Sequence, residues 1–309
     1  MRVFITGASS GLGRALAHAY AAQGATLGLL ARRTEVLEQL VQELPKPTVA
    51  SVHSSTTQND IVSKPIEKHT VQQQAAYKQA TEHNTGDSQS SSKPMIGNPV
   101  VEKLATHKIY AVDITDRAAL HQAAYDFQQL GPTDIVIACA GISVGTLTEF
   151  PEDFSVFEQV YRTNVLGLVA SFEPFLAAMK EANHGTLVGI SSVAGVRGLP
   201  GAGAYSSSKA AVTAYCESLR VELHDSAVNV VTIAPGFIDT PMTQINPYAM
   251  PFLMPVEKFA AQAVKTIAKG KSYAVIPWQM GIVARLLRLV PNKIYDHFAA
   301  RSGRKPRQL

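Results

Sequence analysis

The first thirteen residues restrict the fold more than any other stretch of the chain. Arg2-Val3-Phe4-Ile5-Thr6 is a short apolar run with β-branched and aromatic character, the composition of a strand. Thr6-Gly7-Ala8-Ser9-Ser10-Gly11-Leu12-Gly13 follows, and then an Ala-rich segment from Arg14 to Ala22 with strong helix propensity. A strand feeding a glycine-rich turn that feeds a helix is the context in which such glycines bind phosphate. Gly7 permits the tight turn. Gly11 and Gly13 remove side chains where a pyrophosphate and a neighbouring strand must approach. The helix N-terminus supplies unpaired N–H groups and a positive dipole end.

Residues 25–31 form a second apolar run, and Arg32-Arg33 follow directly. The residue just past the second strand of a nucleotide-binding fold faces the adenosine ribose. An acidic side chain there binds the 2′-hydroxyl of NAD, whereas arginine accommodates the 2′-phosphate of NADP. Arg32 therefore points to NADP(H). Thr34 to Val41 has the pattern of an amphipathic helix with Thr34 as its N-cap.

From residue 46 to 107 the composition shifts to Ser, Thr, Gln, His, Asn and Lys with scattered prolines. This is expected to be a long polar insertion, largely disordered. Alternation of strand and helix resumes at Ile109. A strand ends near Asp113-Ile114, and Thr115 or Asp116 caps a helix over 117–129. Another strand runs from Asp134 to Ala140-Gly141. Residues 153–182 are a long helical pattern containing Asn164 and Gly167, which Pro174 should kink. Strand 185–191, helix 204–225 and strand 229–234 complete the series, the last ending in Pro235-Gly236. Such alternation predicts a Rossmann-type α/β fold: one doubly wound parallel sheet in a domain spanning 1–277, followed by a tail over 278–309. Ligands bind such sheets at the carboxyl ends of their strands. Each special turn lies at such an end.

The stretch 189–209 adds chemistry. Tyr205 and Lys209 are four apart on a helix, so they share a face. An ammonium beside a phenol favours the phenolate and makes the proton easier to exchange. Ser192 lies thirteen residues before Tyr205, at a strand end. The three polar tips can meet at one carbonyl-sized point. A Tyr-x-x-x-Lys spacing alone recurs by chance, and its weight comes from the surrounding turns.

With these residues in place, the chain resembles the short-chain dehydrogenase/reductase family, in the branch whose glycine motif is TGxxxGxG. The resemblance covers residues 1–45 and 109 to about 275. It implies that Tyr205 is the general acid/base and that Lys209 lowers its pKa and holds the nicotinamide ribose. It further implies that Ser192 orients the substrate carbonyl and that Asn164 supports Lys209 through a water. Gly7, Ser9, Ser10, Gly11, Leu12 and Gly13 would cradle the phosphates. Arg32, Asp113 and Ile114 would serve the adenosine, and Ala140 and Gly141 would let the cofactor approach the backbone closely. Pro235, Gly236, Ile238 and Thr240 would serve the nicotinamide, together with Tyr205 and Lys209. One departure is visible. The family often has Asn-Asn-Ala-Gly at the fourth strand's end, and this chain has Ala138-Cys139-Ala140-Gly141, which puts a stabilising hydrogen bond in doubt.

Residues 237–256 carry four prolines among Met242, Tyr248, Met250, Phe252, Leu253 and Met254. In the family this segment is the substrate lid, and its adaptable apolar composition suits a hydrophobic carbonyl substrate. Packing of these side chains on the core is the equal alternative. No Lys or Arg occurs there before Lys258, which disfavours a highly charged substrate. The expected activity is NADPH-dependent reduction of an apolar ketone, aldehyde or 3-oxoacyl-type compound. Oxidation of a lipid-like or steroid-like alcohol and a non-catalytic NADP(H) sensor are the alternatives.

Charge and cysteine usage narrow the setting. Of the net charge of +4, the tail from Met280 onward carries seven basic groups against Asp296 alone. The basic character thus says little about the partners of the core, and no nucleic-acid partner is expected. Cys139 and Cys216 sit in apolar stretches and read as buried thiols of a reducing compartment. No ligand set at metal spacing is present. A strand beginning at residue 2 leaves no room for a cleavable leader, and no apolar run spans a bilayer. The protein is expected in the cytoplasm. The apolar and basic segment 278–309 suits weak contact with a membrane surface, a homo-oligomer contact or a pocket cover.

Overall fold

A computed structural model describes residues 1–45, 107–301 and 303–307. Seven strands form one all-parallel sheet: β1 (Arg2–Thr6), β2 (Thr26–Ala31), β3 (Lys108–Ala111), β4 (Ile135–Ala138), β5 (Gly185–Ile190), β6 (Val228–Pro235) and β7 (Tyr273–Ile276). Their order is β3-β2-β1-β4-β5-β6-β7. The order reverses between β1 and β4, and a crevice opens there at the carboxyl edge.

Alternate residues of each strand face opposite sides, and each side is covered by helices. Val3 and Ile5 share a core with Leu16 and Tyr20 of α1 (Gly11–Ala21), with Leu37 of α2 (Thr34–Glu43) and with Phe259 of the helix Val256–Ala268. Phe4 faces the other way, against Tyr110, Phe127 and Phe175, at ring separations of 5.9, 5.5 and 5.0 Å. That second core holds α3 (Arg117–Gln128), the helix Gly167–Glu181 and the helix Gly203–Glu222.

The expected doubly wound sheet is therefore present, with several revisions. A seventh strand, β7, follows the six legible ones. Helix α2 begins at Thr34 itself, with Arg33 in the capping position and no side-chain cap. Asp116 caps α3 by accepting the Ala119 N–H at 3.0 Å. β3 stops at Ala111, so Asp113 lies in the following turn, where its carboxylate accepts from the N–H and hydroxyl of Thr115. The segment expected as an insertion lies, except for His107, outside the described residues. His107 is buried and accepts the Leu27 N–H at 3.2 Å, just before β3 begins.

The long helical pattern over 153–182 is not interrupted at Pro174, and it changes pitch in a π-helical turn around Asn164. It comprises α4 (Asp153–Tyr161), a π-helical turn (Arg162–Leu166) and α5 (Gly167–Glu181). Pro174 lacks an N–H, which would leave the Ala170 carbonyl without its helical partner. The buried His121 side chain hydrogen-bonds that backbone instead, and it also meets Glu173 at 3.1 Å. The helix runs on through Pro174 to Glu181. The remaining helices are α6 (Gly203–Glu222), the short α7 (Pro241–Gln244), α8 (Val256–Ala268), α9 (Trp278–Leu289) and α10 (Asn292–Ala299). The tail is thus two helices divided at Pro291, followed by an extended strap, Gly303–Arg307.

Candidate active site

The crevice at the carboxyl edge is a cleft of ≈ 640 Å³. Its phosphate end is the turn between β1 and α1. Gly7 has φ +70°, and a Cβ there would come 2.7 Å from the Ala140 backbone; a Cβ on Gly13 would meet the Gly7 carbonyl oxygen at 2.2 Å. Both contacts explain why the turn can carry no side chains at these points. The N-terminus of α1, Gly11-Leu12-Gly13, opens on the same space with Ser9 and Ser10 beside it. Arg32 and Arg33 line the cleft past β2, and Asp113 and Ile114 line it past β3. Ala140, Gly141, Pro235, Gly236, Ile238 and Thr240 continue the wall. Every residue expected to bind the cofactor borders this one cleft.

The departure at the fourth strand is compensated from β1. Thr6 Oγ1 accepts the N–H groups of Cys139 and Ala140 at 3.2 and 3.4 Å. The end of β4 is thereby fixed to the glycine turn without the missing amide side chains. The Cys139 thiol has its pKa raised to about 12 by burial, so it stays protonated and is no nucleophile at neutral pH.

Ser192, Tyr205 and Lys209 all reach the cleft at its β5 end. Ser192 follows β5 and caps a short 3₁₀ turn, its Oγ accepting the Ala194 N–H at 3.1 Å. Lys209 is buried, and its Nζ donates to the Ile190 carbonyl at 2.8 Å. That bond ties α6 to the strand that carries Ser192. The Lys209 ammonium lies 5.8 Å from the Tyr205 ring centre. Burial pulls the Lys209 pKa down to about 8. Burial also pushes the Tyr205 phenol up from its ordinary value; the adjacent Ser192 hydroxyl opposes this, and Tyr248 and Cys139 reinforce it. In the protein alone, desolvation outweighs the lowering of Tyr205 expected from Lys209.

Asn164 does not line the cleft. It is buried behind it, in the π-helical turn. Its Oδ1 accepts the Ile142 N–H, and its Nδ2 donates to the Ile142 carbonyl and to Ser208 Oγ. Ser208 in turn donates to the Tyr205 carbonyl at 2.8 Å. Asn164 therefore joins the loop after β4 to the catalytic-face helix, one layer behind Tyr205 and Lys209.

The sequence left the tail open between a membrane contact, a homo-oligomer contact and a pocket cover; its last described residues lie against the loop after β4 and the lid. The strap Gly303–Arg307 crosses the loop after β4, where Gly145 and Arg307 form an isolated parallel bridge. A Cβ at Gly145 would lie 2.3 Å from the Lys305 carbonyl oxygen. Arg307 pairs with the buried Asp153 at 2.8 Å and with Glu152 at 3.0 Å, and its guanidinium covers the Phe150 ring at 3.6 Å. The Arg307 guanidinium, with the Leu147 N–H, holds the Asp153 carboxyl below its ordinary pKa. Gly303 packs against Tyr248 of the lid. The buried Lys305 Nζ donates to Ser143 Oγ at 2.8 Å and toward the Met242 carbonyl at 3.5 Å, so one ammonium bridges the β4 loop and the lid. A cation thus stands at the lid although none occurs within it before Lys258. The lid divides between the two alternatives: Met242, Ile245, Phe252 and Leu253 are exposed, whereas Met254 is buried in the core.

A family model described as short chain dehydrogenase matches residues 1–82 and 93–248. Over 173 residues the chain is 38% identical to an uncharacterized oxidoreductase of Myxococcus xanthus, covering 56% of this chain and 68% of that one. It is 30% identical over 203 residues to a 3-ketodihydrosphingosine reductase of Bacteroides thetaiotaomicron, covering 62% and 71% of the two chains. A short-chain dehydrogenase from Streptomyces avermitilis has the same fold, with a TM-score of 0.63, 20% identity and coverage of 92% and 91%. The chain belongs to the short-chain dehydrogenase family and is an oxidoreductase.

Proposed function

We propose that this short-chain dehydrogenase is an NADPH-dependent reductase of an apolar carbonyl compound, with Tyr205 as the proton donor. One arrangement carries the reading: Ser192, Tyr205 and Lys209 sit at one end of a cleft whose other end carries Arg32 and Arg33. The glycine turn, free of side chains at Gly7 and Gly13, fits a pyrophosphate above the N-terminus of α1. Arg32 and Arg33 fit a 2′-phosphate, since a guanidinium offers paired donors to phosphate oxygens. Bound there, NADPH supplies the hydride.

The chain's own residues do the rest. Ser192 presents a hydroxyl donor to the substrate carbonyl oxygen and fixes the plane of attack. Tyr205 gives its proton to that oxygen as negative charge develops on it. The raised pKa of the phenol keeps it protonated before the reaction. Lys209, held by the Ile190 carbonyl, supplies a fixed positive charge behind the phenol. Orientation and proton delivery together lower the barrier by several kcal/mol.

Substrate class follows from the lid, whose exposed apolar side chains suit a hydrophobic ketone, aldehyde or 3-oxoacyl compound. The relative named for 3-ketodihydrosphingosine reduction favours a ketone with a long apolar chain. The test is a panel of carbonyl compounds graded by chain length and ring size, run with NADPH and with NADH. NADPH consumption that rises with apolar size, and that Tyr205→Phe abolishes while NADPH still binds, is the expected result. Near-normal turnover in Tyr205→Phe would sink the assignment.

A further inference from the structure

We infer that α9 and α10 form a docking face for an anionic lipid surface. Trp278, Ile282, Leu286 and Leu289 recur at four- and three-residue spacing along α9, which sets them on one face. All four are exposed, Trp278 at 66% and Leu289 at 79%. The opposite face, with Met280 and Ala284, is the one buried against the protein. In α10, Ile294 and Phe298 repeat the pattern one turn apart, Phe298 at 69% exposure. Large apolar side chains exposed at helical spacing on each of two consecutive helices mark an interaction surface and not incidental exposure.

The charge around the stripe selects the partner. Arg285 and Arg288 run along one edge in α9, Lys293 lies at the start of α10, and Arg301 and Arg304 follow it; Asp296 is the only acidic residue from Trp278 to Arg304. A helix with an apolar face and basic flanks lies in a bilayer interface, apolar side down and cations toward anionic headgroups. A second copy of the chain is a poorer match. Two-fold pairing through this face would set each protomer's Arg285, Arg288 and Lys293 against the same cations of its partner.

The orientation is held rigidly. Arg197 donates to the carbonyls of Leu287 and Val290 at 2.8 and 2.7 Å and to Asn292, and its guanidinium lies 4.0 Å from the Tyr295 ring centre. Tyr295 donates to the Gly198 carbonyl at 2.6 Å. Both helices are thereby fastened to the segment between Ser192 and Tyr205, with their apolar stripe left outward.

Trp278 is the only tryptophan of the chain, so its emission reports contact with lipid directly. The full-length protein is mixed with vesicles of phosphatidylcholine alone or with about one-third phosphatidylglycerol, followed by emission and flotation. The expected result is a blue shift and co-flotation with the anionic vesicles, weakened by salt. The exposed double variant Leu286→Glu/Leu289→Glu should lose co-flotation with an unchanged circular dichroism spectrum. Arg285→Glu/Arg288→Glu should weaken binding by roughly tenfold or more. Absence of binding to anionic vesicles, or equal binding by wild type and both variants, overturns the proposal. So does a stable dimer in solution that Leu286→Glu/Leu289→Glu dissociates.

Discussion

Asn164 and Ile142 hold each other by two hydrogen bonds. The Asn164 Oδ1 accepts the Ile142 N–H at 2.8 Å, and its Nδ2 donates to the Ile142 carbonyl at 3.0 Å. The same Nδ2 reaches Ser208 Oγ at 3.0 Å. One amide therefore fixes the loop after β4 to the helix that carries Tyr205 and Lys209. Asn164→Ala leaves the buried ends of these bonds unpaired, at a cost of about 1–3 kcal/mol. Thermal unfolding should show that loss, and turnover should fall even where the variant is fully folded. Asn164→Ala with unchanged stability and turnover would remove the positioning role.

Cofactor choice should turn on the two arginines past β2. Arg32→Glu removes a charge-assisted contact to a 2′-phosphate and sets a carboxylate in its place. Hydrogen bonds to charged groups contribute about 1.5–3 kcal/mol, so NADPH affinity should fall roughly 10- to 100-fold relative to NADH. Titration of cofactor fluorescence measures both. An unchanged preference would place selectivity elsewhere.

The pH dependence should follow Lys209. Burial draws its pKa down to about 8, so in the free enzyme the ammonium is present below that pH and lost above it. Reduction measured as kcat/KM should decline above about pH 8. Lys209→Arg keeps a cation and should shift the decline upward, whereas Lys209→Met should be slow and lack that limb. Stability runs the other way. The folded value lies below the ordinary one, about 10.4 for lysine. Between these two values the unfolded chain binds more protons, so this residue's contribution to stability rises with pH across that window.

The strap gives a prediction that separates substrate binding from chemistry. Arg307→Ala removes the pairing with Asp153 and Glu152 and the cover on Phe150. Lys305 should then lose its fixed place between Ser143 and Met242. KM for the substrate should rise by roughly tenfold while NADPH affinity stays the same. Gly145→Ala should act alike, because its Cβ would strike the Lys305 carbonyl. The clamp persists in acid. The lowered Asp153 pKa means that the pairing is complete above the ordinary carboxylate value and is lost only as pH falls through the depressed one.

What could be read from the chain was local. The strand–turn–helix at residues 2–22 and the Ser192–Tyr205–Lys209 spacing each fall within a few turns of chain, where periodicity and turn chemistry decide the backbone. β7 escaped because four residues before Pro277 are too short to show a period. The π-helical turn at Asn164 escaped because proline is the stronger local signal. The rescue of the Ala170 carbonyl at Pro174 comes from His121, about fifty residues earlier. The seat of the strap was invisible for the same reason, since Arg307 meets an aspartate 154 residues away. The apolar and basic character of the tail was plain in the sequence, whereas its division into two helices and a strap was not.

The strap also has a use in engineering. Five consecutive residues, Gly303–Arg307, cross the loop after β4 and meet the lid at Met242 and Tyr248, and none of them borders the cleft that holds the glycine turn, Ser192, Tyr205 and Lys209. On the proposed function, substrate range and reaction chemistry should therefore be set by separate parts of the chain. Exchanging the strap together with its seat at Ser143–Gly145 should retune which molecules enter while leaving the hydride and proton steps intact. Directed libraries confined to these few positions would search selectivity at little risk to turnover.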